Sequence, residues 1–264
     1  MSVTLTQINL YPIKSCAGVS VHSARVEKRG LQFDRRWMIV DESKRFISQR
    51  SHPQLALVKT GLANESISIQ FDGMEFEIPQ STSGPSTAPV IVWEDEVEGI
   101  LFGGRVNEAL SDFLGQKVSL VYYPDSSSRQ ANLNYARPGD QVSFADAYPF
   151  LLLSEASLQD LNARLAEPLP MNRFRPNFVV RGCNPYAEDD WGQFSIGSQK
   201  FRGVKPCGRC EITTVDQQTG IPAKEPLTTF ATYRKRGNSV YLGENVIGET
   251  EGEIFVGDEL KIQI

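Results

Sequence analysis

Short segments in which apolar and polar residues alternate, cut every few residues by glycine, proline or Asx turns, recur along most of this chain. Residues 3–10, 36–40, 66–71, 74–78, 90–93 and 118–122 fit a period of two, as do 150–153, 177–180, 193–196, 212–215, 240–242 and 260–264. Successive strand side chains face opposite ways, so each segment can bury one face only by pairing with others. Asp72-Gly73 is a hairpin turn between two of them. Residues 142–146 and 252–259 read as further strand-and-turn pieces. Two helices are legible. One runs from Asn107 and is closed by Gly115; the other runs from Glu155 to Leu165, capped by Ser154, with Leu158, Leu161 and Leu165 on one stripe. The fold class expected is mainly β with a few helices, and barrels are the simplest closure for so many short strands.

With 264 residues the chain can bury one large core or two moderate ones. Residues 81–89 form a polar loop, and 123–139 are polar, serine-rich and expected to be mobile, so a domain boundary belongs there. The expected domains are 1–124 and 125–264. A net charge of −5 argues against non-specific nucleic-acid binding. The longest apolar runs, such as 150–153, cannot span a bilayer, and no secretory signal is readable at the start. Four cysteines are too few for a disulfide framework, so the expected setting is a reducing cytoplasm. Two histidines exclude a histidine-rich metal site.

The most chemically loaded stretch is Lys205-Pro206-Cys207-Gly208-Arg209-Cys210, followed by the strand-like 211–215. A soft thiolate beside fixed cations suits a thiophilic metal on an anionic organic cofactor. Cys207 and Cys210 could also be a redox pair, although that chemistry favours a helix N-terminus over a β-branched run. With Cys16 and Cys183 they could form a zinc site, although a second close pair is missing. Lys14 and Ser15 could be an ordinary strand-end turn, and Arg175 before Pro176 plain loop chemistry. Of Arg35 and Arg36, alternation turns one inward without saying which. Asp146 could organise a site's hydrogen bonds or merely a turn.

Seven motifs in order resemble one family. They are Tyr11-Pro12-Ile13-Lys14-Ser15, the run from Gly30 to Trp37, Ser143-Phe144-Ala145-Asp146, the run from Leu153 to Leu158, Phe174-Arg175-Pro176-Asn177, the Cys207/Cys210 motif with Thr213-Thr214-Val215-Asp216, and Glu225-Pro226-Leu227. Together they resemble the MOSC-domain proteins of the type that includes bacterial YcbX and the mitochondrial amidoxime-reducing component. The resemblance implies an N-terminal β-barrel domain joined to a MOSC β-barrel domain, with a molybdenum cofactor (molybdenum on molybdopterin) between them. It implies that Cys210 is the molybdenum ligand and that Lys14, Ser15, Arg35, Arg175 and Arg209 hold the pterin and its phosphate. It also places Asn245 toward the metal's open side. Ser154 is a helix cap on local grounds and by resemblance a further cofactor contact. Glu211 departs from the aliphatic residue such proteins carry there, and alternation turns it to solvent.

The activity this resemblance implies is a molybdenum oxidoreductase reducing N-hydroxylated compounds: amidoximes, hydroxylamines or N-hydroxylated bases. Four scattered cysteines cannot also build an iron–sulfur cluster of ordinary spacing, so electrons are expected from a separate protein or flavin reductase. Neither a membrane nor a nucleic-acid partner is expected. The alternative implied by the same resemblance is a sulfur carrier or cofactor-handling protein using a Cys210 persulfide.

Overall fold

The computed structural model describes residues 2–63, 66–79 and 87–263. Its centre is a closed seven-strand barrel. Phe150–Ser154 pairs in parallel with Phe178–Arg181, which runs antiparallel to Val3–Leu10. The ring continues antiparallel through Glu259–Gln263, Gln193–Ile196, Gln199–Arg209 and Ser239–Gly248, which returns to Phe150–Ser154. Closure leaves none of these seven strands with a free edge. The barrel interior is aromatic: Phe150 lies 5.2 Å from Phe178, and Phe201 contacts both at 5.8 and 5.4 Å. Only a glycine can occupy position 203, where a Cβ would stand 2.1 Å from the Trp191 carbonyl.

The first half adds an open β-unit. Trp37–Asp41, Val118–Tyr122, Asp95–Leu101 and Thr87–Val92 form one antiparallel sheet. Lys59–Leu62, Ser66–Phe71 and Met74–Pro79 form another. The helix Arg105–Leu114 buries Val106, Leu110 and Leu114 against them, and Gly115 ends it in the left-handed region. The Asp72-Gly73 turn has φ of 49° and 72°, as a two-residue hairpin requires. Val3–Leu10 belongs to the barrel, so the chain after Leu10 passes from barrel to open unit within a few residues.

Several local expectations change. Residues 87–89 open a strand rather than closing a loop, and 81–86 lie outside the described residues. Residues 142–146 form no strand, because the Arg129 guanidinium takes the carbonyls of Ser143, Ala145 and Asp146 at 3.0, 2.7 and 3.0 Å. That same contact ties down the serine-rich 123–139 stretch expected to be mobile, with Tyr123, Arg129 and Ala131 all buried. Residues Glu211–Thr214 are a 3-10 turn, not a strand. The hydroxyls of Thr213 and Thr214 donate back to the carbonyls of Cys210 and Glu211 at 2.8 and 2.7 Å, a local bonding pattern that outcompetes their β preference. The helix begun at Glu155 ends at Asn162.

Candidate functional site

Where barrel and open unit meet, loops from both converge on one cavity of about 140 Å3. Three lining residues, Ser15, Arg35 and Arg175, have φ of 68°, 47° and 57°. Left-handed backbone at non-glycine residues costs on the order of 1–3 kcal/mol each and persists only where surroundings enforce it. Gln49 Nε2 donates to the Ser15 carbonyl at 2.6 Å, and the Arg35 amide to the Tyr11 carbonyl at 2.9 Å. The result is three side chains turned into the cleft from tight bends.

The cationic wall is built on Tyr11. Two guanidiniums sit over its buried ring, Arg35 at 4.2 Å and Arg175 at 4.3 Å from the centroid. Asp34 fixes the Arg35 side, accepting from Arg35 Nη1 at 2.5 Å and from the Tyr11 amide at 2.8 Å. Arg175 Nη1 donates to the Cys16 carbonyl at 2.7 Å. Burial pushes Arg175 down to about 10 and the Tyr11 phenol up to about 12. Arg36 turns the other way, onto the Tyr123 carbonyl and Asp125, which settles which of the two arginines serves the cavity.

Lys14 is buried and donates to the Phe144 carbonyl at 2.8 Å and to Asp146 Oδ1 at 2.5 Å. Burial lowers the Lys14 ammonium, against the opposing pull of Asp146. Desolvation at the wall raises the Asp146 carboxyl, but the Lys14 charge outweighs it and holds the group well below the usual carboxylate range.

The sulfur side is set by the barrel strand Gln199–Arg209. Its pairing with Ser239–Gly248 slips twice, between Gly203 and Lys205 and between Pro206 and Gly208. Such irregularities re-aim side chains, here those of the Cys207/Cys210 loop. Arg50 Nη2 stands 3.2 Å from Cys210 Sγ, and Arg209 Nη1 3.1 Å from Cys207 Sγ. Arg209 Nη2 donates to the Phe174 carbonyl at 2.8 Å, while its buried Nε has no partner. Arg173 anchors the loop from behind, reaching the Thr214 carbonyl and Asp216 Oδ2 at 2.9 Å each.

Lys14, Ser15, Arg35, Arg175, Arg209, Cys210 and Asn245 all line this cavity. Asn245 Nδ2 donates to the Lys205 carbonyl at 3.2 Å. Ser154 does not line it. Its fully buried hydroxyl accepts from the Ser157 amide at 3.0 Å as the helix cap, which leaves it to a structural task. Glu211 is exposed, as expected, although a 3-10 turn rather than strand alternation puts it there. Arg50 and Phe46 line the cavity but were not legible as site residues, since nothing local distinguishes them, and Tyr11, although part of the first motif, gave no sign that it carries two arginines. Cys16 is fully buried, and burial pushes its thiol up to about 12. Among the described residues no group of three His, Cys, Asp or Glu side chains could hold a metal, which removes the zinc arrangement. A four-residue 3-10 turn after Cys210 also lacks the helix N-terminus that a dithiol redox site uses.

The molecule is thus of the class in which two β-units clasp a cationic, thiol-bearing cleft. Residues 2–117 match the family model of the MOSC N-terminal beta barrel domain, and residues 139–261 that of the MOSC domain. The chain belongs to the MOSC-domain family. It is 36% identical to mitochondrial amidoxime-reducing component 1 of Mus musculus over 97% of this chain and 81% of that protein, and 35% identical to the Homo sapiens protein over the same shares. It is also 31% identical to the molybdenum cofactor sulfurase of Arabidopsis thaliana, over 98% of this chain and 35% of that much longer protein. Among the described residues no helix is long and apolar enough to cross a membrane.

Proposed function

We propose that this protein, with domains at 1–124 and 125–264, is a molybdenum-cofactor-dependent reductase of N-hydroxylated compounds. The observation behind the reading is the donor set of the cavity: Lys14, Arg35, Arg50, Arg175 and Arg209 around two thiols, of which Cys207 is met by Arg209 and Cys210 by Arg50. A pterin dithiolene with a terminal phosphate presents those complements, an anion for the guanidiniums and a soft metal for sulfur. The partnerless Nε of Arg209 is a further donor left over for such an anion. Cys210 would ligate the metal, with Lys14, Ser15, Arg35, Arg175 and Arg209 around pterin and phosphate and Asn245 at the open side. When bound, the cofactor supplies two-electron oxygen-atom chemistry at the metal.

For an amidoxime the balance is R–C(NH2)=N–OH plus two electrons and two protons giving R–C(NH2)=NH plus water. The N–O bond breaks, and the electrons come from a separate electron-transfer protein or flavin reductase. The chain's own part is positional. Tyr11 and Asp34 keep Arg35 and Arg175 aimed inward, Arg50 holds the Cys210 sulfur, and the Asp146 carboxylate at the mouth accepts a substrate N–H while Lys14 supplies its countercharge.

Similarity to molybdenum cofactor sulfurase supports a second reading, a Cys210 persulfide carrier. Five converging cations exceed what a persulfide needs, which favours the reductase. Protein made in a host that synthesises molybdenum cofactor should hold near-stoichiometric metal and release a fluorescent pterin. Cys210→Ser should lose both the metal and the reduction of a model amidoxime. Pterin-free protein carrying cyanide-labile sulfur on Cys210 would establish the carrier instead.

A further inference from the structure

Beside the cationic cavity runs a wider groove of about 690 Å3, sharing Asp146 and Ala147 with it as a common wall. Its size lies in the range of small-molecule sites. Arg50, against Trp93 on one side and the Cys210 sulfur on the other, puts the groove next to the Cys210 end of the cavity. The two spaces differ sharply in charge. The inner cavity sets five cations against Asp146 alone, whereas the groove sets Glu94, Asp95 and Asp146 against Arg129 alone. That arginine is not available to a ligand: it is buried, binds three carbonyls, and pairs with Asp95 Oδ2 at 2.7 Å. With Asp95 paired to Arg129 and Asp146 to Lys14, an anion in the groove finds no free cation there among the described residues and faces the unpaired Glu94, while an anion held inside uses the cations beyond the wall.

Trp93 forms the flat part of the groove. It holds a left-handed backbone, φ 59°, at the turn between Thr87–Val92 and Asp95–Leu101, with 39% of its surface exposed. The ring cannot swing freely. Its Nε1 donates to Asp146 Oδ1 at 3.2 Å, the Arg50 guanidinium sits 4.8 Å from its centroid, and the Phe46 ring 5.0 Å. A strained, pinned indole is a preorganised apolar wall for a planar ligand. Leu133, 60% exposed, lines the same groove. Both bonds to Asp146 use Oδ1, leaving Oδ2 of a side chain 61% exposed to accept from a ligand N–H.

We propose that this groove binds the organic body of the substrate and selects planar, neutral or cationic N-hydroxy compounds over anionic ones. The proposal rests on the reductase reading above. It places the ring on Trp93, the amino group of an amidoxime or N-hydroxyguanidine at Asp146, and the N–OH group toward Cys210. Reduction turns a weak base into a strongly basic amidine, so the product leaves as a cation through an acidic groove.

The test uses the cofactor-loaded full chain, with Glu94→Lys and Leu133→Lys, two exposed substitutions outside the cofactor cavity. Benzamidoxime and its 4-carboxy analogue are compared by KM, beside molybdenum content. Benzamidine binding is followed by fluorescence, since Trp37 and Trp191 are buried at 0% and 5% exposure and Trp93 is the tryptophan a ligand can reach. Wild type should prefer the uncharged substrate. Leu133→Lys should raise its KM and Glu94→Lys should narrow the preference for it over the 4-carboxy analogue, each about three- to tenfold, the scale of one aromatic contact or exposed charge, and both should weaken benzamidine binding, with metal content unchanged. Turnover with KM unmoved in both variants and no Trp93 response to benzamidine overturns the groove and leaves the reductase standing. Benzamidine quenching that the variants weaken, without turnover of any N-hydroxy compound, sustains the groove's ligand class and overturns the reductase.

Discussion

Arg50 and Cys210 lie 160 residues apart in sequence, on opposite walls of the cleft, with Nη2 and Sγ 3.2 Å apart. The open β-unit thus places a fixed positive charge on the sulfur that the barrel presents. A charge-assisted contact of this kind contributes more than a neutral hydrogen bond.

Replacing Arg50 by methionine keeps much of the stem's bulk and removes the charge. Turnover of a model amidoxime should fall about tenfold or more, the scale of one hydrogen bond to a charged group, while most of the molybdenum is retained. Unchanged turnover at equal metal content would show that Arg50 merely fills space beside the sulfur.

Tyr11 aligns Arg35 and Arg175 over its ring, at 4.2 and 4.3 Å. Tyr11→Phe keeps the ring and should retain cofactor, whereas Tyr11→Leu should lose most of it in metal and pterin assays. Equal loading of the two variants would remove the ring from the cofactor-holding wall.

Ser15 lies in a left-handed bend at φ 68°. Ser15→Gly relieves that strain, so its thermal midpoint should rise or hold, even after about 0.5–1 kcal/mol of added unfolded-chain entropy. Cofactor content should nevertheless fall with the hydroxyl gone. A clear drop in midpoint would mean that the bend carries no strain to release.

Glu244 is buried at 3% exposure beneath the barrel's 3-10 turn Ala187–Asp190, and one of its carboxylate oxygens has no partner. Burial first, then the charges of Asp189 and Glu188, push its carboxyl up to about 9. The folded state therefore keeps a proton that the unfolded chain releases near pH 4.3. Stability from this group is fully present below that pH and declines as pH rises toward 9, by at most about 1.4 kcal/mol per unit. Glu244→Gln should flatten the fall in urea midpoint between pH 5 and 9 and be the more stable form at pH 8. An identical slope in both proteins would contradict the neutral carboxyl.

Sequence periodicity determined many of the strands, because a half-buried strand needs alternation wherever it lies; Val118–Tyr122 and Gln193–Ile196 match the expected segments to the residue, whereas Asp95–Leu101 and Gln199–Arg209 were not among them. Glycine and capping chemistry likewise determined the Asp72-Gly73 turn, the Gly115 stop and the Ser154 cap, since each depends on backbone preferences within a few residues. Alternation failed at 142–146 and 211–214, where Arg129 and the threonine hydroxyls take the backbone bonds that a ladder would use. Seven of the eight expected site residues meet at one cavity, but their motifs could not show that Tyr11 aligns two of the arginines or that Arg50 reaches the sulfur. Nor could they show that Ser154 is fully occupied elsewhere. Those relationships depend on which surfaces barrel closure and the packing of the open unit bring together. Contacts between residues over a hundred positions apart leave no periodic or local trace in the chain, so only the tertiary structure decided them.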